Sequence, residues 1–241
     1  RREGLSTPRL DAEVLLAETL GVDRVGLYTH FDQPLRPEEL ARFKKLIQRR
    51  LQREPVAYII GSREGWSLTF KVTPDVLIPR PETEILVAEA LKVVSAPART
   101  GRNFRILEIG TGSGAISIAL AKECPSALLV ATDLSAEALA IAQENASRLG
   151  VGERIQFLQG DLFTPLEKES TFELIITNPP YIAEDDFPSL PPEVRGFEPR
   201  LALDGGKDGL AFFRRILPNV AGFLSSGGWF RAEIGAGQED A

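Results

Sequence analysis

Apolar residues follow two rhythms along this chain, and the change between them divides it. Over roughly the first sixty positions they recur at helical spacing. Leu10, Val14, Leu15 and Leu20 do so behind Ser6-Thr7-Pro8, a helix start with Pro8 in its first turn and Asp11 and Glu13 near its positive end. Gly21 stops that helix. Residues 25–28 predict one or two further turns. Pro37 opens a longer helix with Leu40, Phe43, Ile47 and Leu51 on one face. Lys44, Lys45, Arg49 and Arg50 fall largely elsewhere and read as a solvated face. Residues 53–61 close what is expected to be a small helical bundle.

The rhythm then changes. Residues 66–72 alternate apolar and polar, Thr73-Pro74-Asp75 is a turn, and Val76, Leu77 and Ile78 follow. This predicts a β-hairpin linking two domains. Pro79-Arg80-Pro81 and the acidic residues Glu82 and Glu84 open a helix to about residue 94. They form a rigid, charged lip, or simply a helix start whose acids complement its dipole. Residues 95–103 form a polar loop. Strands over 105–109, 127–132 and 155–158 then alternate with helices over 115–122 and 136–149, a Rossmann-like unit. Residues 172–177 read as a buried strand of the parallel kind. Residues 210–217 look helical, ended by Pro218, and 228–234 read as the next strand. The expected fold class is α/β: a bundle over 1–62, a hairpin linker over 63–80 and a Rossmann-like domain over 81–241.

Composition removes several functions. A hydrophobic content of 43% is ample for a core. No apolar run is long enough to cross a bilayer and no signal-peptide pattern opens the chain, so a soluble cytoplasmic protein is expected. Cys124 and His30 are each the only residue of their type. That excludes an internal disulfide, a cysteine-based zinc cluster and catalysis needing two histidines. The chain begins at Arg1 and has no Met, so a longer gene product is expected. The net charge of −6 divides into +3 over residues 1–72 and −9 over the rest. An acidic larger part argues against broad binding to duplex nucleic acid.

The chemistry sits at strand ends, where open α/β sheets bind ligands. Glu108 precedes the turn Gly110-Thr111-Gly112-Ser113-Gly114, whose glycines let a ligand approach the backbone. The spacing is G-x-G-x-G, not the G-x-G-x-x-G of dinucleotide enzymes. Asp133 ends the next strand, placed to accept from ribose hydroxyls, and Asp161 ends a third, where it could accept from an adenine amine. Glu108 would repel a pyrophosphate and suit an amino acid's ammonium or its water shell. These features describe S-adenosylmethionine. Asn178-Pro179-Pro180-Tyr181 follows the strand at 172–177. Prolines remove amide donors and leave carbonyls outward, and Asn178 adds a side-chain acceptor. Acceptors beside an aromatic face suit a planar group carrying an NH2, such as an amide or an exocyclic base amine. The same four residues would also serve as an ordinary strand-ending turn.

With these motifs the chain resembles the class I S-adenosylmethionine methyltransferases, specifically the release factor glutamine methyltransferases of the HemK/PrmC type. The resemblance runs from about Thr7 to Gln238. It includes Arg53-Glu54-Pro55 with Tyr58 and Gly61, the lip from Ile78 to Glu84, and the glycine turn with Asp133 and Asp161. It also takes in Asn178 to Tyr181, and Glu198 to Gly206 with Asp208-Gly209. It implies a seven-stranded sheet whose final hairpin is absent from this chain. It also implies a cofactor site over Glu108, Gly110 to Gly114, Asp133, Asp161, Leu162 and Asn178, with Leu162 where some relatives carry Trp. The implied substrate is the glutamine of a release factor's Gly-Gly-Gln loop. Asn178 and the Pro179 carbonyl, within the catalytic set Asn178, Pro179, Pro180 and Tyr181, would accept from its NH2. The Tyr181 ring would pack on its plane. No metal or covalent nucleophile is required, S-adenosylhomocysteine is the product, and a monomer is expected. The Asn178 NH2 is expected to be tied into nearby backbone. The competing readings are an amino-group methyltransferase acting on adenine or guanine in nucleic acid, and a non-catalytic module that binds cofactor or docks release factors.

Overall fold

The computed structural model describes residues 4–29, 31–94 and 104–239, so His30 and the loop read over 95–103 lie outside the described residues. Contacts divide the chain into two compact units, Arg1–Ser62 with Pro191–Phe197, and Arg63–Leu190 with Glu198–Ala241. The segment Pro191–Phe197, which the sequence placed in the second domain, groups with the first unit.

The first unit holds α1 (Pro8–Leu20), α2 (Arg24–Thr29), α3 (Pro37–Leu51), α4 (Val56–Ile60) and the later short helix α8 (Pro192–Phe197). Gly21 ends α1 in the left-handed conformation, at φ 67°. Leu15, Ala17, Tyr58 and Ile59 are buried. One expectation fails here. Arg50, read as part of a solvated face, is buried and bound on three sides. Its Nε donates to Asp11 Oδ2 at 2.7 Å, Nη1 to the Glu54 carbonyl at 3.3 Å and Nη2 to Glu193 Oε1 at 3.0 Å. Asp11 also accepts from Thr7 Oγ1 at 2.8 Å. Helical spacing alone did not distinguish the one inward-facing arginine from its solvated neighbours.

In the second unit, β1 (Ser62–Gly65) and β2 (Leu68–Lys71) form a two-stranded sheet. The expected hairpin is therefore displaced. Trp66 and Ser67 make its turn at φ 51° and 56°, both positive as a tight hairpin turn demands. Glu84 steadies this strained pair by accepting from Trp66 N at 3.0 Å. Residues 76–78 form no strand. Val76 and Ile78 are apolar because they are buried, and Ile78 N donates to the Glu198 side chain rather than to a neighbouring strand.

The main sheet holds β3 (Phe104–Ile109), β4 (Ala127–Asp133), β5 (Ile155–Gln159), β6 (Phe172–Thr177) and β7 (Leu224–Ala232). All four pairings are parallel, in the order β5-β4-β3-β6-β7. The helices α5 (Pro81–Val94), α6 (Ala115–Glu123), α7 (Ala136–Arg148) and α9 (Ala211–Phe223) complete the unit. Alternate strand residues serve opposite faces: Ile106 and Leu174 join one apolar cluster with α5 and α6 residues, Leu107 and Ile175 the other with Ile216 of α9. Pro218 does not end α9 as expected. It lies exposed, while Phe213, Ile216 and Val220 bury the opposite side and carry the helix past it.

Breaking a buried ion pair from one side strands the other charge. Asp11→Ala leaves Arg50 with Glu193 as its one carboxylate partner, so the loss should stay within the ceiling of about 3–5 kcal/mol set by a fully stranded charge. Pairing Asp11→Leu with Arg50→Met should recover most of that loss. Urea unfolding of the variants measures this, and equal losses in single and double variants would show that the pair is not the source.

Candidate functional site

Strand order places the site. Successive strands run outward from β3 to β4 and β5, then the chain returns to lay β6 on the other side of β3. Beyond the strand ends at such a reversal lies a crevice. The register sets Ile109 beside Thr177, and Thr177 Oγ1 donates to the Ile109 carbonyl at 2.8 Å. The glycine turn and Asn178 consequently leave the sheet side by side. A pocket of about 370 Å³ opens there, and its wall includes Glu108, Gly110 to Ser113, Asp133, Asp161, Leu162 and Asn178 to Pro180.

Gly110 and Gly112 adopt φ 73° and 54°, and a Cβ at either would meet nothing within 4 Å, so backbone conformation alone demands glycine there. Four of the turn's five N–H groups are already used. Gly110 and Thr111 donate to the Thr132 carbonyl, Gly112 to Asp133 Oδ2 at 2.8 Å and Gly114 to the Thr111 carbonyl. A loop with these donors spent is no phosphate cradle, in agreement with its spacing.

Glu108 is buried at the end of β3. Its Oε2 accepts from Thr111 Oγ1 at 2.7 Å, from Ser117 N at 3.1 Å and from the Ser117 hydroxyl. Its Oε1 is buried with no hydrogen-bond partner among the described residues. Burial pushes the carboxyl up to about 7, against the pull of the Ser117 and Thr111 hydrogen bonds. An unbonded buried oxygen on the pocket wall awaits a donor or a cation. Burial also raises Asp133, opposed by the N–H groups of Gly112 and Ser135. Each Asp133 oxygen keeps lone pairs for a ligand hydroxyl.

Asp161 is paired with Arg215 of α9, whose guanidinium lies 5.8 Å from the centre of the Phe212 ring. Leu162 takes φ 53°, and with Leu134, Phe212 and Ile216 it gives this end of the pocket an apolar wall. On the other side, the lip is anchored by buried Glu198, which accepts from Arg80 Nη2 at 2.5 Å and from Ile78 N at 3.3 Å.

Asn178 Nδ2 donates to Thr83 Oγ1 at 3.2 Å, so the expected backbone partner is replaced by a side chain. Tyr181 is not part of the pocket wall. Its hydroxyl donates to Glu233 Oε1 at 3.1 Å, and burial beside Glu233 pushes the phenol up to about 12. Its carbonyl accepts from Gln238 Nε2 at 3.2 Å. The segment after Glu198 packs here too: Ile182 N donates to the Leu203 carbonyl and the Ile182 carbonyl accepts from Gly205 N, a strand-like bridge around Asp204, and a Cβ at Gly205 would lie 2.8 Å from the Tyr181 carbonyl carbon. The sequence reading missed Thr83, Phe212, Arg215, Glu233 and Gln238 as site residues. The one available signal was polar Glu233 and Gln238 spaced around Gly235, just past the last strand.

A five-stranded parallel sheet of this order, with a glycine turn, two strand-end aspartates and an Asn-Pro-Pro-Tyr segment at its switch point, defines a class I methyltransferase. The chain matches the PrmC N-terminal domain over residues 1–61 and the methyltransferase small domain over 84–189. It is 49% identical to the release factor glutamine methyltransferase of Geobacter sulfurreducens, across 99% of this chain and 81% of that one. It is 44% identical to the protein of the same name from Moorella thermoacetica, across 99% and 82%. The chain belongs to the release factor glutamine methyltransferase family. The hMettl16 catalytic domain, solved with an RNA hairpin, shares the fold at a TM-score of 0.56, covering 73% of this chain and 64% of that one. At 19% identity the likeness reaches the fold and no further, and it lends nothing to the nucleic-acid alternative.

Glu108 yields a pH test. Its carboxyl rises from 4.5 to about 7 on burial, so the folded protein holds that proton more tightly than the unfolded chain does. Unfolding in that window releases a proton, and stability falls as pH rises through it. The cost is about 3 kcal/mol by the upper end. Urea unfolding near pH 4.5 and near pH 8 should show Glu108→Gln gaining about that much on the parent protein at the higher pH. A constant difference would mean that Glu108 ionises as an ordinary carboxyl.

Proposed function

We propose that this chain transfers the methyl group of S-adenosylmethionine to the side-chain amide nitrogen of glutamine in the Gly-Gly-Gln loop of peptide-chain release factors. The relatives' names give release factor glutamine as what they methylate. The observation that carries the reading is the orientation of Asn178. Its NH2 is committed to Thr83, so its oxygen is the group left to meet a substrate. Pro179, next to it, has no N–H to compete.

The cofactor's chemical parts match the pocket. The unbonded Glu108 oxygen suits an ammonium or its water shell, and Asp133 suits ribose hydroxyls. Asp161 accepts from the adenine amine with lone pairs not taken by Arg215, against the wall of Leu134, Leu162 and Phe212. When bound, the cofactor supplies an electrophilic methyl on a sulfonium. An amide nitrogen is a poor nucleophile because its lone pair is shared with the carbonyl. Asn178 Oδ1 and the Pro179 carbonyl hold that nitrogen in line and stabilise the positive charge that grows on it. Tyr181 holds this segment through its hydroxyl and its carbonyl.

The first unit serves as the docking surface for the intact release factor. Val25 and Tyr28 of α2 and Phe31 just beyond it are 68%, 56% and 84% exposed, large apolar side chains left in solvent on a bundle with no part in the chemistry. Among the described residues no helix is long and apolar enough to cross a membrane, in keeping with a place in the cytoplasm beside the translation machinery.

Labelled methyl should appear on the glutamine of a release factor and not on DNA or RNA offered in parallel. Asn178→Asp keeps the shape of the turn but loses the donor to Thr83. Single turnover at saturating cofactor should fall by about 100-fold, the cost of a misplacement near 1 Å. Cofactor affinity should change far less. Near-normal turnover would reduce Asn178 to a turn residue. Phe31→Asp with Val25→Asp should raise KM for intact release factor and leave a short Gly-Gly-Gln peptide unaffected; equal effects on both would move docking elsewhere.

A further inference from the structure

The methyl transfer needs the oxygen of Asn178, and the side-chain amide could present either end. What chooses the end lies two bonds away. Glu233, just past β7, has both carboxylate oxygens engaged: Oε2 accepts from Thr83 Oγ1 at 3.0 Å, and Oε1 from the Tyr181 hydroxyl at 3.1 Å. Thr83, buried in the first turn of α5, in turn receives Asn178 Nδ2 at 3.2 Å.

The direction of each bond follows from proton inventory. A carboxylate accepts and cannot donate, so the one proton of Thr83 points to Glu233. That leaves Thr83 Oγ1 with lone pairs only toward Asn178, and only the NH2 of an amide can bond a lone pair. The Asn178 oxygen is thereby turned to the pocket wall. Tyr181 is held the same way, because its phenol must also donate to Glu233.

We infer that Glu233 is a positioning residue that acts through Thr83 to keep the Asn178 oxygen facing the substrate and through the Tyr181 hydroxyl to hold the same segment. It deepens the proposed reaction and rests on that reading for the identity of the substrate alone. Replacing the carboxylate by an amide shows what is at stake. In Glu233→Gln the new NH2 can donate to Thr83, whose proton is then free to seek the Asn178 oxygen. The Asn178 amide turns over and sets a donor against the substrate's own NH2.

Turnover and orientation are measured separately. Glu233→Gln and Thr83→Val should each lower single turnover on release factor by about 100-fold. Cofactor dissociation constants should stay within about threefold. Thr83→Ser restores the hydroxyl and should recover most of the turnover lost in Thr83→Val. Groups in one chain are not additive, so the double variant should be no slower than the worse single one. In parallel, NMR of protein labelled at asparagine nitrogen follows the Asn178 NH2, assigned by its loss in Asn178→Asp. One of its protons should exchange slowly with water in the parent and in Thr83→Ser, and rapidly in Thr83→Val and Glu233→Gln. Multiplying losses in the double variant, unchanged exchange across the series, or parallel loss of cofactor affinity and turnover would each overturn the relay. If the parent protein left release factors unlabelled, the proposed function would fall, while the exchange measurement would still decide the relay.

Discussion

The site depends on the seam between β3 and β6. Two strands that are 68 residues apart in sequence run parallel with Ile109 opposite Thr177, locked by the threonine hydroxyl on the isoleucine carbonyl. A parallel register slip of one residue would turn every side chain on one strand to the wrong face. It would also separate the glycine turn from Asn178 by about 3.3 Å, the rise of one residue. The cofactor half of the pocket and the substrate half are carried on different chain segments. Only this pairing brings them within reach of one another.

Around that seam the supporting contacts are mostly polar and come from far along the chain. Glu198 holds Ile78 and Arg80 from about 120 residues away, and Glu233 holds Thr83 from 150 away. Each acid bonds to groups that would otherwise be left unpaired in a largely buried place, where the desolvation cost is high. The lip, the Asn-Pro-Pro-Tyr segment and the tail after β7 are thus tied to one another through side chains, while the sheet supplies only their starting points.

What could be read in the sequence was what is local. The strand-helix alternation, the glycine spacing and the strand-end aspartates Asp133 and Asp161 depend on neighbours a few residues away, and they stand where the pattern put them. Two of the errors share a cause, a partner far away in sequence. Val76 and Ile78 looked like strand because burial and strand pairing leave the same apolar mark, and the partner that separates the cases is Glu198. Arg50 looked solvated because its partners Asp11 and Glu193 lie 39 and 143 residues away. Thr83 carried no signal of its role and Glu233 only its spacing from Gln238 around Gly235: a threonine in a first helical turn and an acid after a strand have ordinary local explanations.

The first unit is not continuous in sequence, and this has a consequence for synthesis on the ribosome. Its four leading helices emerge early, but α8 with Glu193 follows Arg50 by 143 residues. At about 5–20 residues per second, the bundle must wait on the order of 10 s for its last helix. In that interval Asp11 is the one carboxylate of the buried site that Arg50 can reach, so the early pair alone offsets the guanidinium charge until Glu193 arrives.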